Sequence, residues 1–172
     1  NLDGTESTTV LSGLKIAYGL ALGRRTPCAD SADDDCEGGD CGGPVGQEAF
    51  VSPGVYSWVA PEGVTSVSVV AVGGGGASDA WTGGGGAGLG WRNNIAVNPG
   101  EAYTVVVGAG GFRDVNISNG GASGEDSYFI SASVVKGGGG GPNAGGNYVG
   151  EGGGHGGQGS SSTGYGGGGG AG

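Results

Sequence analysis

Positive charge is scarce in this chain: six lysines and arginines stand against sixteen acidic residues, a net charge of −10. That imbalance argues against nucleic-acid phosphates and anionic lipid as partners. Histidine occurs once, as His155 between pairs of glycines, a poor setting for a general base or a zinc ligand. There is no Gly-Lys-Ser/Thr phosphate loop. Residues 83–88 satisfy the dinucleotide fingerprint only formally, since they open a strand and not a helix. No run of ~18 apolar residues occurs, so no membrane-spanning helix is expected. Six prolines are too few for a polyproline segment, and 35% hydrophobic residues leave room for only a small conventional core. Together these absences argue against an enzyme.

Glycine is abundant: 49 of 172 residues, far above the ~7% average, without the strict third-residue period and high proline of collagen. Its placement is patterned. In residues 64–72, Thr65, Val67, Val69 and Ala71 fall on one face and Val64, Ser66, Ser68, Val70 and Val72 on the other, the period of a strand. That strand runs straight into glycines 73–76. The same handover recurs from 105–107 into 108–111 and from 134–136 into 137–141. Repetition of this kind predicts architecture and not linker.

Four segments follow. Residues 1–23 hold one long strand whose large-residue face includes Leu14, Ile16, Tyr18, Leu20 and Leu22. No turn returns it at once to a neighbour, so it must find a sheet edge in its own domain or in another subunit. Residues 24–49 form an acidic, cysteine-containing loop. Asp30, Asp33, Asp34, Asp35, Glu37 and Asp40 are candidate Ca²⁺ ligands, the only cofactor this sequence suggests; the EF-hand spacing is missing, and a solvated acidic loop is the alternative. Cys28, Cys36 and Cys41 allow one internal disulfide of undetermined connectivity and leave one thiol over, which fits an oxidising compartment. Residues 50–136 are β-rich, with a strand over 55–59, an expected hairpin over 89–107 around a type II turn at Asn98-Pro99-Gly100-Glu101, and a last strand over 126–135. In 89–107, Leu89, Trp91, Asn93, Ile95 and Val97 share one parity. Residues 137–172 are a glycine-dominated tail. Asn116-Ile117-Ser118 is a glycosylation acceptor sequence, meaningful only in a secreted eukaryotic protein. Trp58 and Trp91 are expected to cover the sheet, whereas Trp81, Tyr148 and Tyr165, in glycine tracts, are interface candidates.

Residues 50–141 carry a recognisable series: Phe50-Val51-Ser52-Pro53-Gly54, Ala60-Pro61-Glu62-Gly63-Val64-Thr65, the Pro-Gly-x-x-Tyr-Thr-Val-x-Val-Gly-Ala-Gly-Gly segment within 97–111, and residues 124–129. This resembles the glycine-rich domains of phage tail adhesins, bacterial surface proteins and anaplastic lymphoma kinase-type receptor ectodomains. The resemblance implies an all-β fold, a small antiparallel sheet or sandwich, with polyglycine II helices packed side by side. Such helices have three residues per turn and no internal hydrogen bonds, so their backbone groups must pair between neighbours, at a spacing that excludes a Cβ. Residues 1–49 have no counterpart in the family.

The expectation is a non-enzymatic, extracellular structural subunit that self-associates into a fibre through strand 10–22 and polyglycine packing. The alternative is an adhesin or receptor-type module on a cell or virion surface. In that case loops 79–82, 112–119 and 142–149, held on a rigid scaffold, would recognise a glycan or cell-surface receptor. The start at Asn1 fits either a removed signal peptide or a fragment.

Overall fold

The computed structural model describes residues 13–18, 46–114 and 121–160. Among these there is no helix. Ten strands form two five-stranded antiparallel sheets packed face to face. The strands are β1 (Gly13–Tyr18), β2 (Gly46–Phe50), β3 (Gly54–Val59), β4 (Ser66–Val72), β5 (Leu89–Ala96), β6 (Ala102–Val107), β7 (Ser127–Phe129), β8 (Val135–Gly137), β9 (Tyr148–Val149) and β10 (Gly152–Gly154). One sheet runs β10-β5-β4-β1-β2 and the other β3-β6-β7-β8-β9.

The alternation legible in 64–72 sets the core. Val67, Val69 and Ala71 of β4 face Trp58, Val105, Val107, Phe129 and Val135 of the opposite sheet, while Val70 is exposed. Trp58, Tyr103 and Phe129 form one aromatic cluster, with Trp58 edge-on to Phe129 at 5.9 Å between centroids. Such pairing contributes ~0.5–1.5 kcal/mol beyond area burial.

The parity expected for 89–97 does not persist, because of a bulge. Val69 stands opposite Arg92 but Val67 opposite Ile95, so β5 spends an extra residue, and Asn94 takes a φ of 52°. The bulge moves the inward-facing positions of β5 to the other parity. Ile95 and Val97 therefore enter the core, while Trp91 lies outside over Gly152 of β10.

The hairpin expected over 89–107 is also corrected. β5 pairs with β4 and β10, and β6 with β3 and β7. The chain crosses from one sheet to the other, so that Ile95 and Val97 enter the shared core from one sheet and Val105 and Val107 from the other. A hairpin would have left these side by side in one sheet. The turn is nonetheless type II, with Glu101 N–H donating to Asn98 O at 3.1 Å and Gly100 at φ 80°. A second such turn, where Val64 N–H donates to Pro61 O and Gly63 has φ 80°, lies beside it. The two are cross-bonded by Ala60 N–H to Glu101 O and Gly100 N–H to Ala60 O.

Finally, the single strand expected over 126–135 is two. Ile130 adopts φ 65° and Val134 N–H donates to Ser131 O, reversing the chain so that Phe129 and Val135 pair, both fully buried.

The registers give the sandwich two unlike ends. Gly13, Val72, Leu89 and Gly154 align at one end of the first sheet, and Gly54 with Val107, and Ser127 with Gly137, at the same end of the second. From that end residues 73–88, 108–114 with 121–126, 138–147 and 155–160 leave the sheets. The opposite end is shut by the paired turns.

Candidate functional site

The segments leaving the sandwich form a second body in which backbone meets backbone. Gly73 and Gly76 donate N–H to the carbonyls of Gly88 and Gly85, whereas Gly74 and Ala77 donate to Glu125 and Ala122. Gly85 and Gly88 donate to Gly141 and Gly138, and Gly83 and Gly86 to Ser160 and Gly157, at 2.8–2.9 Å. Donors three apart thus meet acceptors three apart, and successive residues turn to different neighbours. Strand pairing would place same-side positions two apart. The block is therefore not a continuation of either sheet.

Sterics explain why these positions are glycine. A Cβ on Gly74 would collide with the Ala109 carbonyl, on Gly85 with Ala144 O, on Gly139 with Gly124 O, and on Gly156 with Gly86 O. None of these four has positive φ, so the requirement is close approach and not an unusual backbone. Residues 137–140 are the centre: each one forbids a Cβ, against neighbours from residues 71–74, 85–88, 124–125 and 147. By contrast Gly75 and Gly110 have no neighbour nearer than 3.8 Å to a Cβ, and Ala77, Ala109 and Ala122 are half-buried and Ala144 exposed.

Polar side chains fasten the block to the sandwich. The buried Ser127 hydroxyl accepts Gly108 N–H at 3.0 Å. Asp126 accepts Gly139 N–H at 2.9 Å and pairs with Lys136 Nζ at 3.0 Å. Sequence reasoning missed these anchors. Their signal is the Asp-Ser pair, residues 126–127, standing where glycine gives way to strand.

At the far tip, Asp79 folds its own loop. Its Oδ1 accepts N–H from Trp81 at 2.8 Å and Thr82 at 2.6 Å, and its N–H donates to Thr82 O. The Trp81 bond first, then those from Thr82 and the nearby Arg113 charge, hold the carboxyl below its ordinary value of 3.8. This turn presents Trp81 at 65% exposure. The neighbouring excursion presents Phe112 at 72%, next to the Arg113–Gly121 bridge. Tyr148, at the base of the block, packs against His155 with centroids 5.1 Å apart.

Of the proposed assembly residues, Leu14, Ile16 and Tyr18 fall in β1, in register with Ala71, Val69 and Val67 of β4. β1 lies inside its own sheet, between β2 and β4. Leu20 and Leu22 lie outside the described residues, as do Cys28, Cys36, Cys41, Asp30, Asp33, Asp34, Asp35, Glu37, Asp40, Asn116 and Tyr165. Among the described residues no group of three or more histidine, cysteine or acidic side chains is arranged to hold a metal. No described helix is long and apolar enough to cross a membrane.

A family model described as a glycine-rich domain matches residues 51–172. The chain belongs to that family. No curated protein and no solved structure matches it. The glycine-rich domain thus takes in β3 to β10 and the whole block, and leaves β1 and β2 outside, although both strands complete its first sheet.

Proposed function

We propose that this chain is a non-enzymatic structural subunit of an extracellular fibre, its glycine block a polyglycine II lattice and its β1 the strand that joins subunits. The observation that carries the reading is the place of β1. It fills an interior position of a sheet, yet it comes from outside the glycine-rich domain and is tied to β2 only through residues 19–45. At ~3.3 Å per extended residue that connection can reach well beyond one subunit. A β1 from another copy can therefore make the same pairings with β2 and β4, and repeated exchange in one direction gives a polymer and not a closed dimer. The three-residue hydrogen-bond repeat supports the lattice, and a body with so many interlocked carbonyls is suited to bearing load.

The test is light scattering and negative-stain microscopy of the purified chain over a concentration series. Concentration-dependent filaments that vanish on deleting residues 1–23, and return when a peptide of residues 10–22 is fused to the C-terminus, are expected. A chain that stays monomeric at every concentration, or filaments indifferent to the deletion, would overturn the proposal.

A second reading is supported by Trp81 and Phe112, two exposed rings on adjacent loops at the tip. Here the block is a rigid stalk for an adhesin, in line with the resemblance to phage tail adhesins, and the rings stack on sugar faces of a surface glycan. Glycan-array binding lost in Trp81→Ala and Phe112→Ala, with the chain monomeric, would favour this reading over the fibre.

A further inference from the structure

We infer that β3 is a pairing edge for a second copy of this chain, joined to its own counterpart antiparallel across a two-fold axis. β3 is an outer strand whose only strand pairing among the described residues is with β6. Its outward positions are Val55 at 75% exposure, Ser57, and Val59 at 55%. Their register partners on β6 are Val106, Thr104 and Ala102. This face is therefore small or β-branched throughout.

Proteins usually protect such an edge with lysine, an inward charge, an internal proline or a bulge. β3 has none of these. Pro53 and Pro61 stand beyond its two ends, and no charged residue lies between Glu48 and Glu62. In a chain of net charge −10, two copies repel each other almost everywhere, and a charge-free strand is where they can approach.

The other edges decide the occupant. β9 has two residues and β10 three, too short to match a six-residue strand, and β2 carries Glu48 in its middle. The edge that matches β3 in length and lack of charge is β3 itself. A strand paired with its own copy in antiparallel fashion is isologous, and here it fuses the two sheets into one of ten strands. This contact is independent of β1 exchange. It would set two bodies side by side, whereas exchange would string them end to end.

The full chain carrying Ser57→Lys, with Val55→Lys as a second variant, is compared with the natural chain by sedimentation velocity and by hydrogen exchange at low and high concentration. The natural chain is expected to gain a two-fold mass step. The β3 amides should slow by tenfold or more on concentration, and both variants should lose the two effects while keeping native exchange in β4 and β6. A chain also lacking residues 1–23 should keep the mass step if it keeps its fold, which separates this contact from strand exchange. The inference is overturned if β3 amides exchange equally fast at both concentrations. It is equally overturned if they are protected at both, as when a segment of the same chain covers the edge, or if Ser57→Lys leaves the mass step unchanged.

Discussion

The sandwich and the glycine block solve the same problem with opposite materials. In the sandwich, side chains such as Phe129 and Val105 fill the space between sheets, and backbone groups pair sideways within each sheet. In the block, the interior holds few side chains, Ala87 among them, and at the centre carbonyls come close enough that a single methyl has no room. The sandwich gains from apolar burial at ~25 cal/mol per Å². The block gains from hydrogen bonds, each worth ~0.5–1.5 kcal/mol net, against the large ordering entropy of glycine. It depends on the sandwich to fix both ends of three of its four excursions, so that each glycine segment is ordered between anchored points.

The largest effect should come from the shared foundation. Phe129→Ala removes a fully buried ring at the centre of the aromatic cluster and is expected to cost about 3–5 kcal/mol in denaturant unfolding. Loss of the glycine-block amide protection in the same transition would show that the two regions unfold together.

Next comes the block's own centre. Gly139→Ala places a methyl against the Gly124 carbonyl and should cost about 3 kcal/mol, the upper end for overpacking, because backbone cannot rotate away as a side chain can. Hydrogen exchange should show Gly138 and Gly140 amides as slow as Val105 in the natural chain and much faster in the variant. Fast exchange in the natural chain would mean that the block is not ordered as described.

A smaller loss, about 1 kcal/mol, is expected for Asp126→Ala, which frees Gly139 N–H and Lys136 at a partly solvated position. Chemical denaturation checks it, and the exchange of amides in 137–141 should rise before that of β4. Gly75→Ala should have the opposite sign. Its Cβ meets nothing nearer than 3.9 Å and its φ is not positive, so it should stabilise by about 0.4–1 kcal/mol through the unfolded chain. An equal penalty at Gly75 and Gly139 would erase the distinction between outer and central glycines.

The mildest perturbation is acid on the tip. Asp79 has a folded pKa below its unfolded value, so what it contributes is present above about 3.8 and lost as pH falls through the folded value. The amide shifts of Trp81 and Thr82 should move together with a midpoint below 3.8, and Asp79→Asn should remove that midpoint while leaving Gly138 unaffected.

Much of the sandwich was legible because alternation reports burial directly, as in β4. It failed where one residue was added or turned: the bulge at Asn94 reversed parity, and Ile130 in left-handed backbone split one expected strand into two. The block was legible in a coarser way. The unbroken run 137–141 supplies the centre at 137–140, where each residue excludes a Cβ, while in the interrupted run 121–125 only the glycines, Gly121 and Gly124, are approached that closely. Which segments meet could not be read, since one glycine is chemically the same as the next and pairing is chosen by where the strands deliver each excursion. The tip was half legible: loop 79–82 could be named, but not the hydrogen bonds from Trp81 and Thr82 that fold it around Asp79.

Composition and periodicity by themselves determined that the described residues of this protein are all-β, with a small oily core and glycine as a structural element. Those properties follow from what each residue can bury and how its side chains alternate. Only the tertiary structure decided that β5 and β6 part into different sheets, that β1 lies between β2 and β4, and that all four excursions rise from one end. These are choices of partner among segments with nearly equal local preferences. They are settled by long-range packing, to which no single stretch of sequence holds the key.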